Sequence, residues 1–220
     1  MPKQFLPIGN KPMLAHTIAA FDCLEVVTEI IIAVPENFVD FVCANIQKTH
    51  GFTKVRHIVA GGETRSLSVL LALDKVNPGT DIVLIHDGAR PFVTKKLVES
   101  IVDAVLTKGA VVPCVKSVDT VKQTDTSGRI VKNINRELLW NIQTPQGFTY
   151  KLINSAYEEG IKGKYLNHVT DDSGLVERIG CDVYVIEGDP RNIKITTYED
   201  LIMGNAILHS TNYTTEGQDQ

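Results

Sequence analysis

The segment of the sequence best suited to chemistry is residues 86–91, HDGARP, which directly follow an apolar run at residues 82–85. A carboxylate at the end of a buried strand, followed by a small-residue turn and an arginine, suits a metal-bridged phosphate site. Asp87 could hold Mg²⁺ directly or through water, and the glycine turn would let backbone N–H groups approach a ligand. Arg90 could clamp a phosphate bidentately. The alternative is that Asp87 merely ends a loop and that Arg90 is a surface residue.

A second candidate is residues 61–68, GGETRSLS, in which two glycines follow an apolar run and hydroxyl side chains precede the next one. Glycines at the end of a strand and hydroxyls in the first turn of a helix form a place for anions or for the edge of a nucleobase. The alternative interpretation is a helix N-cap with its turn and no ligand.

Isolated cations form a third set of candidates: Lys3, Arg136 and Lys194. Lys194 lies between Ile193 and Ile195, and a lysine in such an alternating pattern is usually on the solvated face of a strand. It gains a functional meaning only if that face lines the mouth of a cleft.

Several site types are excluded by their missing motifs. The sequence contains neither HExxH nor GxSxG, and no GxGxxG follows a predicted strand, which excludes zinc hydrolases, serine hydrolases and dinucleotide-dependent oxidoreductases. The histidines share no spacing, and we interpret all but His86 as surface or satisfied core residues. The cysteines are far apart and beside apolar stretches, so we predict four buried free thiols: Cys23, Cys43, Cys114 and Cys181.

Length and composition predict one globular domain, because 220 residues of which 43% are hydrophobic are enough for one α/β core. The formal net charge of -4 argues against a nucleic-acid polymer as partner, whereas small phosphorylated ligands need only a few local cations. No apolar run approaches the roughly 18 residues of a membrane helix, and the N-terminus lacks a signal-peptide pattern. The sequence therefore predicts a soluble, cytoplasmic protein.

Apolar periodicity predicts the elements that would position these residues. Continuous apolar runs indicate buried strands, and segments with apolar side chains at helical spacing separate them. Asn10 as N-cap and Pro12 near the first turn are typical signals for the start of the first helix. The order predicts an α/β fold with a Rossmann-like, mostly parallel sheet flanked by helices, whose ligands bind beyond the carboxyl ends of the strands. The predicted strands are residues 30–34, 55–60, 82–85 and 110–112.

Residues 118–134 interrupt this rhythm, since two alternating polar segments flank the turn DTSG. The pattern predicts a β-hairpin that projects as an arm. We predict a single domain over residues 1–210 that includes this arm, and a polar, frayed tail over residues 211–220. The remaining predicted elements are helices near 152–159, after 172 and near 201–208, and strands at 183–186 and 193–195.

Seven short motifs occur in the order that is typical of one enzyme family. From Pro2 to about Leu208 the sequence resembles the 2-C-methyl-D-erythritol 4-phosphate cytidylyltransferases of non-mevalonate isoprenoid synthesis. The HDGARP segment together with the NIK segment is the most specific part of the resemblance. The motifs are PKQFL (2–6), GG (61–62) with Arg65 and Ser68, HDGARP (86–91), DTVK (119–122), TPQ (144–146), TDD (170–172) and NIK (192–194).

The resemblance implies a reaction of CTP with methylerythritol phosphate, with Mg²⁺, that yields the CDP-alcohol and pyrophosphate. The attacking oxygen belongs to a phosphate monoester that is largely deprotonated near neutral pH, so the reaction needs neither a general base nor a covalent intermediate. The site must hold two anions in line and neutralise their charge. Cations and Mg²⁺ are therefore the expected catalytic parts.

The resemblance also implies roles for individual residues. Lys3 matches the lysine that stabilises the transition state on the triphosphate, and Arg136 and Lys194 match the pair that positions the methylerythritol phosphate. Asp87 would lie near the metal and the sugar alcohol. The other implied contacts are Arg90, Thr120 and Thr144 to the alcohol substrate, and Gly62, Glu63 and Ser68 to the cytidine. The arm matches the family's dimer-clasping element, which implies a homodimer with Arg136 near the interface.

The sequence departs from the family at one end. Family members begin with a buried strand and a glycine-rich loop, whereas this sequence starts at Met1-Pro2-Lys3. We interpret the difference as a start codon placed too late or as a defective gene copy. Two alternatives stay open: a ribitol 5-phosphate cytidylyltransferase, although those relatives tend to vary Gly88 and Ala89, and a truncated, non-catalytic dimerisation or binding module.

Overall fold

The computed structural model of the chain describes residues 2–216, in which strands and helices alternate as predicted. A π-helical stretch, Cys43–Lys48, continues the second helix. The strands are β1 (Pro7–Ile8), β2 (Lys11–Pro12), β3 (Ile30–Val34), β4 (Val55–Ala60), β5 (Ile82–Ile85), β6 (Ala110–Lys116), β7 (Lys122–Thr124), β8 (Ile130–Asn133), β9 (Trp140–Ile142), β10 (Gln146–Thr149) and β11 (Tyr184–Glu187). The helices are α1 (Met13–Asp22), α2 (Val39–Val42), α3 (Arg65–Leu73), α4 (Lys95–Lys108), α5 (Tyr150–Lys162), α6 (Ser173–Arg178) and α7 (Tyr198–Glu216).

Within residues 2–216, the strands form a five-stranded sheet and three two-stranded pairs. β11 pairs in parallel with β6, and β3 pairs in parallel with β4 outside this sheet. β10 runs antiparallel between β5 and β6, and β9 is antiparallel to β6. The predicted α/β class with flanking helices is confirmed. The prediction of a mostly parallel sheet is wrong for the five-stranded sheet, because β9 and β10 run opposite to their neighbours and only β11 with β6 is parallel.

Helix α4 packs closely against strand β10, which pairs with β5 in the five-stranded sheet. Thr94 caps the helix by accepting a hydrogen bond from the Leu97 N–H, and the apolar face of α4 is buried at helical spacing. A Cβ at Gly147 of β10 would lie 2.4 Å from Ile101 Cγ2 and 2.8 Å from Val105 Cγ2. Only glycine at this position lets helix and strand pack at the observed distance.

A small apolar cluster joins three segments that are far apart in the sequence. Ile8 of β1, Met13 of α1, Ala89 and Ile195 are all buried and pack together. Burial of apolar surface at this point holds the loop after β5 against the loop before α7. The two most specific motifs of the sequence are thereby brought side by side.

The arm is a β-hairpin, as predicted. β7 and β8 pair antiparallel, and every residue in both strands is exposed. The arm and the segment after it also expose several large apolar side chains, namely Val118, Ile130, Val131 and Leu138.

Three predictions of local structure are wrong. Asn10 does not cap α1, because it lies in the turn between β1 and β2, and Pro12 occupies the N-cap position without a side-chain hydrogen bond. Residues 193–195 are not a strand; this stretch makes one main-chain bond, from the Ile195 N–H to the Ala89 carbonyl, and is otherwise held by side chains. The backbone is not frayed from residue 211, since α7 continues to Glu216. The rest of the predicted tail, 217–220, lies outside the described residues.

The cysteines are free thiols, as predicted, but only Cys114 is buried. Cys23 is exposed because it lies just past the end of α1, and Cys43 and Cys181 are half-buried. Within the part of the chain that the structure describes, no helix is long and apolar enough to cross a membrane.

Candidate functional site

Asp87 is the centre of a cluster of cations at the carboxyl end of β5. Its carboxylate lies 2.8 Å from Lys194 Nζ, 3.3 Å from Arg65 Nε and 3.8 Å from Arg90 Nε. Burial by itself would raise the pKa of the Asp87 carboxyl, but the hydrogen bond and charge of Lys194, followed by the charges of Arg65 and Arg90, outweigh it and hold that pKa below its usual value. Asp87 is therefore ionised, and the cluster carries a net positive charge.

A chain of hydrogen bonds fixes the loop that carries Asp87. His86 Nε2 lies 3.0 Å from the Arg90 carbonyl, which can only accept, so this nitrogen carries the proton. Burial lowers the pKa of His86 to about 4, so the ring is neutral and its Nδ1 accepts a bond from the Thr144 hydroxyl at 3.0 Å. Thr144 Oγ1 in turn accepts the Asp87 N–H at 3.0 Å. Thr144 thus links the ring of His86 to the backbone of Asp87.

Helix α1 supports the same loop from the other side. Thr17 Oγ1 donates to the Gly88 carbonyl at 3.0 Å. A Cβ at Gly88 would lie 3.2 Å from Leu14 Cδ1, which is tighter than an ordinary contact. The small residue predicted from the sequence to favour ligand approach therefore also serves helix packing.

Arg65 connects the Asp87 cluster to a buried carboxylate that the sequence analysis did not include in the site. Its Nη2 lies 2.7 Å from Asp172 Oδ2, and Tyr157 Oη donates to Asp172 Oδ1 at 2.6 Å. Burial by itself would lower the pKa of Arg65, but pairing with Asp172 and Asp87 outweighs it and raises that pKa. Burial, and then the charge of Asp172, raises the pKa of the Tyr157 hydroxyl. Arg65 and Asp172 both occur in motifs that the chain shares with the family, and this is the feature of the sequence that points to them as site residues.

The two-glycine turn between β4 and α3 is closed by Ser68. The Ser68 hydroxyl accepts the Gly62 N–H at 3.1 Å and donates to the Thr64 carbonyl at 2.9 Å. A Cβ at Gly62 would lie 2.5 Å from Leu67 Cβ, so the turn requires glycine there. Glu63 is exposed at the tip. Gly62 and Glu63 thus lie in a turn that Ser68 of α3 closes, and Arg65 of the same helix reaches the Asp87 cluster.

The side chain of Arg90 is more buried than that of a surface residue. Its side chain is only 12% exposed, and Nη1 donates to the Asn192 carbonyl at 2.8 Å. Its guanidinium thus joins the Asp87 loop to the loop that carries Lys194.

Three predicted site residues, Lys3, Thr120 and Arg136, stand outside the hydrogen bonds and ion pairs of the Asp87 cluster within the described chain. Lys3 is exposed on the 3₁₀ turn Lys3–Phe5. Thr120 and Arg136 line a shallow polar cavity of about 360 Å³ at the base of the arm, where Arg136 Nη1 donates to the Val118 carbonyl at 3.0 Å. Over residues 2–216, no hydrogen bond or ion pair joins any of these three side chains to the Asp87 cluster.

The carboxylates near the cluster limit the kind of metal site that it can form. No group of three or more potential ligands occurs among the described His, Cys, Asp and Glu side chains. Asp172 is buried and paired with Arg65 and Tyr157. Both oxygens of Asp87 are already engaged, Oδ1 by Arg65 and Oδ2 by Lys194 and Arg90. Mg²⁺ is commonly held by one or two carboxylates together with substrate phosphates and water. Such an ion would find one carboxylate here, Asp87, and would need the phosphates of a ligand and water for the rest of its coordination.

Comparison with known proteins identifies relatives of this chain. The family model described as "IspD: 2-C-methyl-D-erythritol 4-phosphate cytidylyltransferase" matches residues 1–210. A protein of that name from Syntrophus aciditrophicus is 42% identical over 207 residues, which is 94% of this chain and 88% of the relative. The protein of that name from Clostridium botulinum (strain 657 / Type Ba4) is 43% identical over 206 residues, 94% of this chain and 89% of the relative.

Solved structures agree with these relatives. The 4-diphosphocytidyl-2C-methyl-D-erythritol synthase of Anaerococcus prevotii aligns with a TM-score of 0.83 at 35% identity, covering 92% of this chain and 88% of that one. The 2-C-methyl-D-erythritol 4-phosphate cytidylyltransferase of Thermus thermophilus aligns with a TM-score of 0.81 at 31% identity, covering 94% of each. Both the family model and the relatives extend over nearly the whole chain, so this chain belongs to the 2-C-methyl-D-erythritol 4-phosphate cytidylyltransferase (IspD) family.

Proposed function

We propose that this chain transfers the cytidylyl group of CTP to 2-C-methyl-D-erythritol 4-phosphate and releases pyrophosphate. The observation that carries the proposal is the 2.8 Å contact between Lys194 and Asp87, which unites the two most specific motifs in one cluster. Half-exposed Arg65 and the more enclosed Arg90 add positive charge there. Such a cluster suits two phosphorylated substrates whose negative charges must be held together.

The chemistry needs positioning more than proton transfer. A phosphate monoester oxygen is already a competent nucleophile near neutral pH, so the protein must align it with the α-phosphorus and neutralise developing charge. Lys194 would orient the attacking phosphate, while Asp87 keeps the ammonium in place and contacts the sugar alcohol. Lys3 would neutralise the triphosphate. Arg90 and Thr144 would hold the alcohol-binding loop, and the turn with Gly62, Glu63 and Ser68 would contact the cytidine.

Mg²⁺ would be held by Asp87 together with the substrate phosphates. When bound, it would supply charge neutralisation at the α-phosphate and at the leaving pyrophosphate. The ionised state of Asp87 supports this assignment, since a protonated carboxyl is a poor ligand.

The chain would act as a homodimer joined through the arm. Val118, Ile130, Val131 and Leu138 are exposed, and covering such apolar side chains favours association. Thr120 and Arg136 lie at the base of the arm and make no hydrogen bond or ion pair with the Asp87 cluster of their own chain within residues 2–216. We therefore propose that the arm of a second copy presents both residues to that cluster.

Four unpaired cysteines fit a reducing compartment and support a cytoplasmic location.

The direct test is a pyrophosphate-release assay on the 220-residue chain with CTP, Mg²⁺ and either methylerythritol phosphate or ribitol 5-phosphate. We expect release with methylerythritol phosphate and little with ribitol 5-phosphate, and release slowed roughly 10²-fold or more in the matched Lys194→Ala variant. Turnover of ribitol 5-phosphate alone would contradict the proposed substrate. Absence of turnover with both substrates would favour a non-catalytic module, which calorimetric titration with CTP and Mg²⁺ would then examine as a binding protein.

A further inference from the structure

The loop between β11 and α7, which carries Lys194, is fastened to the protein by a fully buried amide. Asn192 is 0% exposed. Its Nδ2 donates to the Thr144 carbonyl at 2.8 Å. Thr144 is also the residue whose hydroxyl holds the Asp87 backbone, so the Asn192 amide joins the Lys194 loop to the support of Asp87.

The same loop is fastened at two more points on the N-terminal side of Lys194. The Asn192 carbonyl accepts bonds from Arg90 Nη1 at 2.8 Å and from Gln143 Nε2 at 3.4 Å. The amide of Gln143 also exchanges two bonds with the backbone of Asp189, at 2.8 and 3.2 Å. Side-chain amides therefore do here what a partner strand would do for a β-strand, which explains why this apolar segment is not a strand.

A further anchor lies on the C-terminal side of Lys194. The Ile195 N–H donates to the Ala89 carbonyl at 2.9 Å, and the Ile195 side chain is buried beside Ala89. The backbone of Lys194 is thus held on both sides to the loop of Asp87. The lysine side chain itself is 41% exposed, and its Nζ reaches the Asp87 carboxylate at 2.8 Å.

The amide of Asn192 is poorly suited to packing alone. In the part of the chain that the structure describes, its Oδ1 is buried and has no hydrogen-bond partner. A buried acceptor without a partner is unfavourable, and an apolar side chain of similar size would avoid that penalty. What asparagine supplies is the Nδ2 donor, and that donor is directed at the support of Asp87.

We propose that Asn192 is a positioning residue, which acts on the reaction through Lys194 by fixing the loop that places the Lys194 ammonium on Asp87. The proposal deepens the proposed function and rests on it for its effect on catalysis. The positional effect itself is measurable without any turnover, so the two proposals can fail separately.

The first experiment measures the Lys194 amine directly. The wild type and Asn192→Ala would be acylated with a limiting N-hydroxysuccinimide ester, and the rate at each lysine would be followed by peptide mass spectrometry. We expect the Lys194 rate to rise severalfold in Asn192→Ala, because loosening the loop frees the ammonium from Asp87. Exposed Lys96 of α4 is the internal reference and should not change. An unchanged Lys194 rate overturns the proposal, whatever the activity of the chain.

The second experiment is a double-mutant cycle on kcat/KM for methylerythritol phosphate. Asn192→Ala should lower it roughly tenfold or more in the wild-type background and less than about twofold in the Lys194→Ala background, because a residue that acts through Lys194 has nothing left to position. The same fold-loss in both backgrounds would show a merely structural role and overturn the proposal. A calorimetric Kd for methylerythritol phosphate provides the same cycle where the rate of Lys194→Ala is too low to measure.

Two further variants protect the test against misfolding. Gln143→Glu keeps the acceptor for the Asp189 N–H but loses the Nε2 donor to the Asp189 and Asn192 carbonyls, so it should raise the Lys194 acylation rate as Asn192→Ala does. Asn154→Ala removes a surface amide of α5 that donates to Glu158 and should leave both readouts unchanged. If Asn192→Ala does not fold, Gln143→Glu decides the outcome by the same criterion.

Discussion

Lys194 Nζ lies 2.8 Å from Asp87 Oδ2, although the two residues come from loops more than 100 positions apart in the sequence. The contact holds a flexible side chain in the cluster before any substrate is present. Lysine side chains lose substantial rotamer freedom when they are fixed, and here part of that loss occurs on folding instead of on binding. The ammonium is thus prepared to receive a phosphate next to Asp87.

Replacing Lys194 with alanine should lower kcat/KM by roughly 10² or more, because the attacking phosphate loses its alignment. Steady-state kinetics with both substrates varied would measure the loss. The matched Lys96→Ala variant should keep the wild-type rate, and a near-unchanged rate in Lys194→Ala would place Lys194 simply on the solvated surface.

Arg65→Ala should destabilise the fold by roughly 2–3 kcal/mol, since within residues 2–216 it leaves the buried Asp172 carboxylate with Tyr157 as its remaining side-chain partner. This value is at the low end for a buried pair because the Arg65 side chain is 34% exposed and water can enter the space. Urea unfolding would measure the difference. Arg129→Ala, which breaks an exposed pair on the arm, is the control and should not change the midpoint; equal effects of the two variants would contradict the assigned role of burial.

Thr144→Val should destabilise the protein by about 1–3 kcal/mol, because it leaves His86 Nδ1 and the Asp87 N–H without their hydroxyl partner. Thr144→Ser keeps that hydroxyl and should retain most of the stability and activity. Thermal unfolding and the pyrophosphate assay would be run on both variants. If serine behaves like valine, the methyl packing of Thr144 matters more than its hydrogen bonds.

Co-expressing Arg136→Ala and Lys194→Ala subunits should restore activity that neither variant has alone. Each mixed dimer contains one intact site out of two, with Lys194 from one chain and Arg136 from the other. Random pairing makes about half of the dimers mixed, so co-expression should restore about a quarter of the wild-type activity. Differently tagged subunits would allow the mixed dimer to be purified and assayed. No recovery in the purified mixed dimer would mean that Arg136 serves the site of its own chain or none.

Asp200 should make the start of α7 sensitive to strong acid. Hydrogen bonds from the Thr196 hydroxyl and from the Thr196 and Thr197 N–H groups lower the pKa of its carboxyl to about 2. A carboxyl with a lowered pKa stabilises the fold above its unfolded value near 4, and that contribution is lost as the pH falls towards 2. An NMR titration of the Asp200 carboxyl should give the low midpoint; Asp200→Asn should abolish this part of the pH dependence of unfolding.

Local patterns were sufficient to predict most elements of the fold. The apolar runs at β3, β4 and β5 and the helical spacing of α4 appear in the structure as expected. Residues 193–195 were misread because alternation of isoleucine and lysine looks the same in a strand and in a loop held by side chains. Asn10 was misread because a turn and a helix cap favour the same residue type.

Contacts in the candidate site between segments that are distant in the sequence are harder to predict from local patterns. The motifs containing Asp87 and Lys194 were recognised, and the structure brings those two together. The bridge from Arg65 to Asp172 and the amide of Asn192 depend on contacts between segments that only the folded chain makes adjacent. Hydrophobic periodicity does not predict which buried donor forms a hydrogen bond with which carbonyl.

The pairing of β3 with β4 outside the five-stranded sheet has a consequence for amide hydrogen exchange. The turn with Gly62 follows β4, whereas Asp87 follows β5, so the two parts of the candidate site belong to separately hydrogen-bonded units. Such units can open independently and exchange their amides at different rates. A nucleotide that contacts the Gly62 turn and the Asp87 loop would couple the opening of the two units. Amide exchange would then slow throughout β3 and β4, well beyond the residues that the nucleotide contacts.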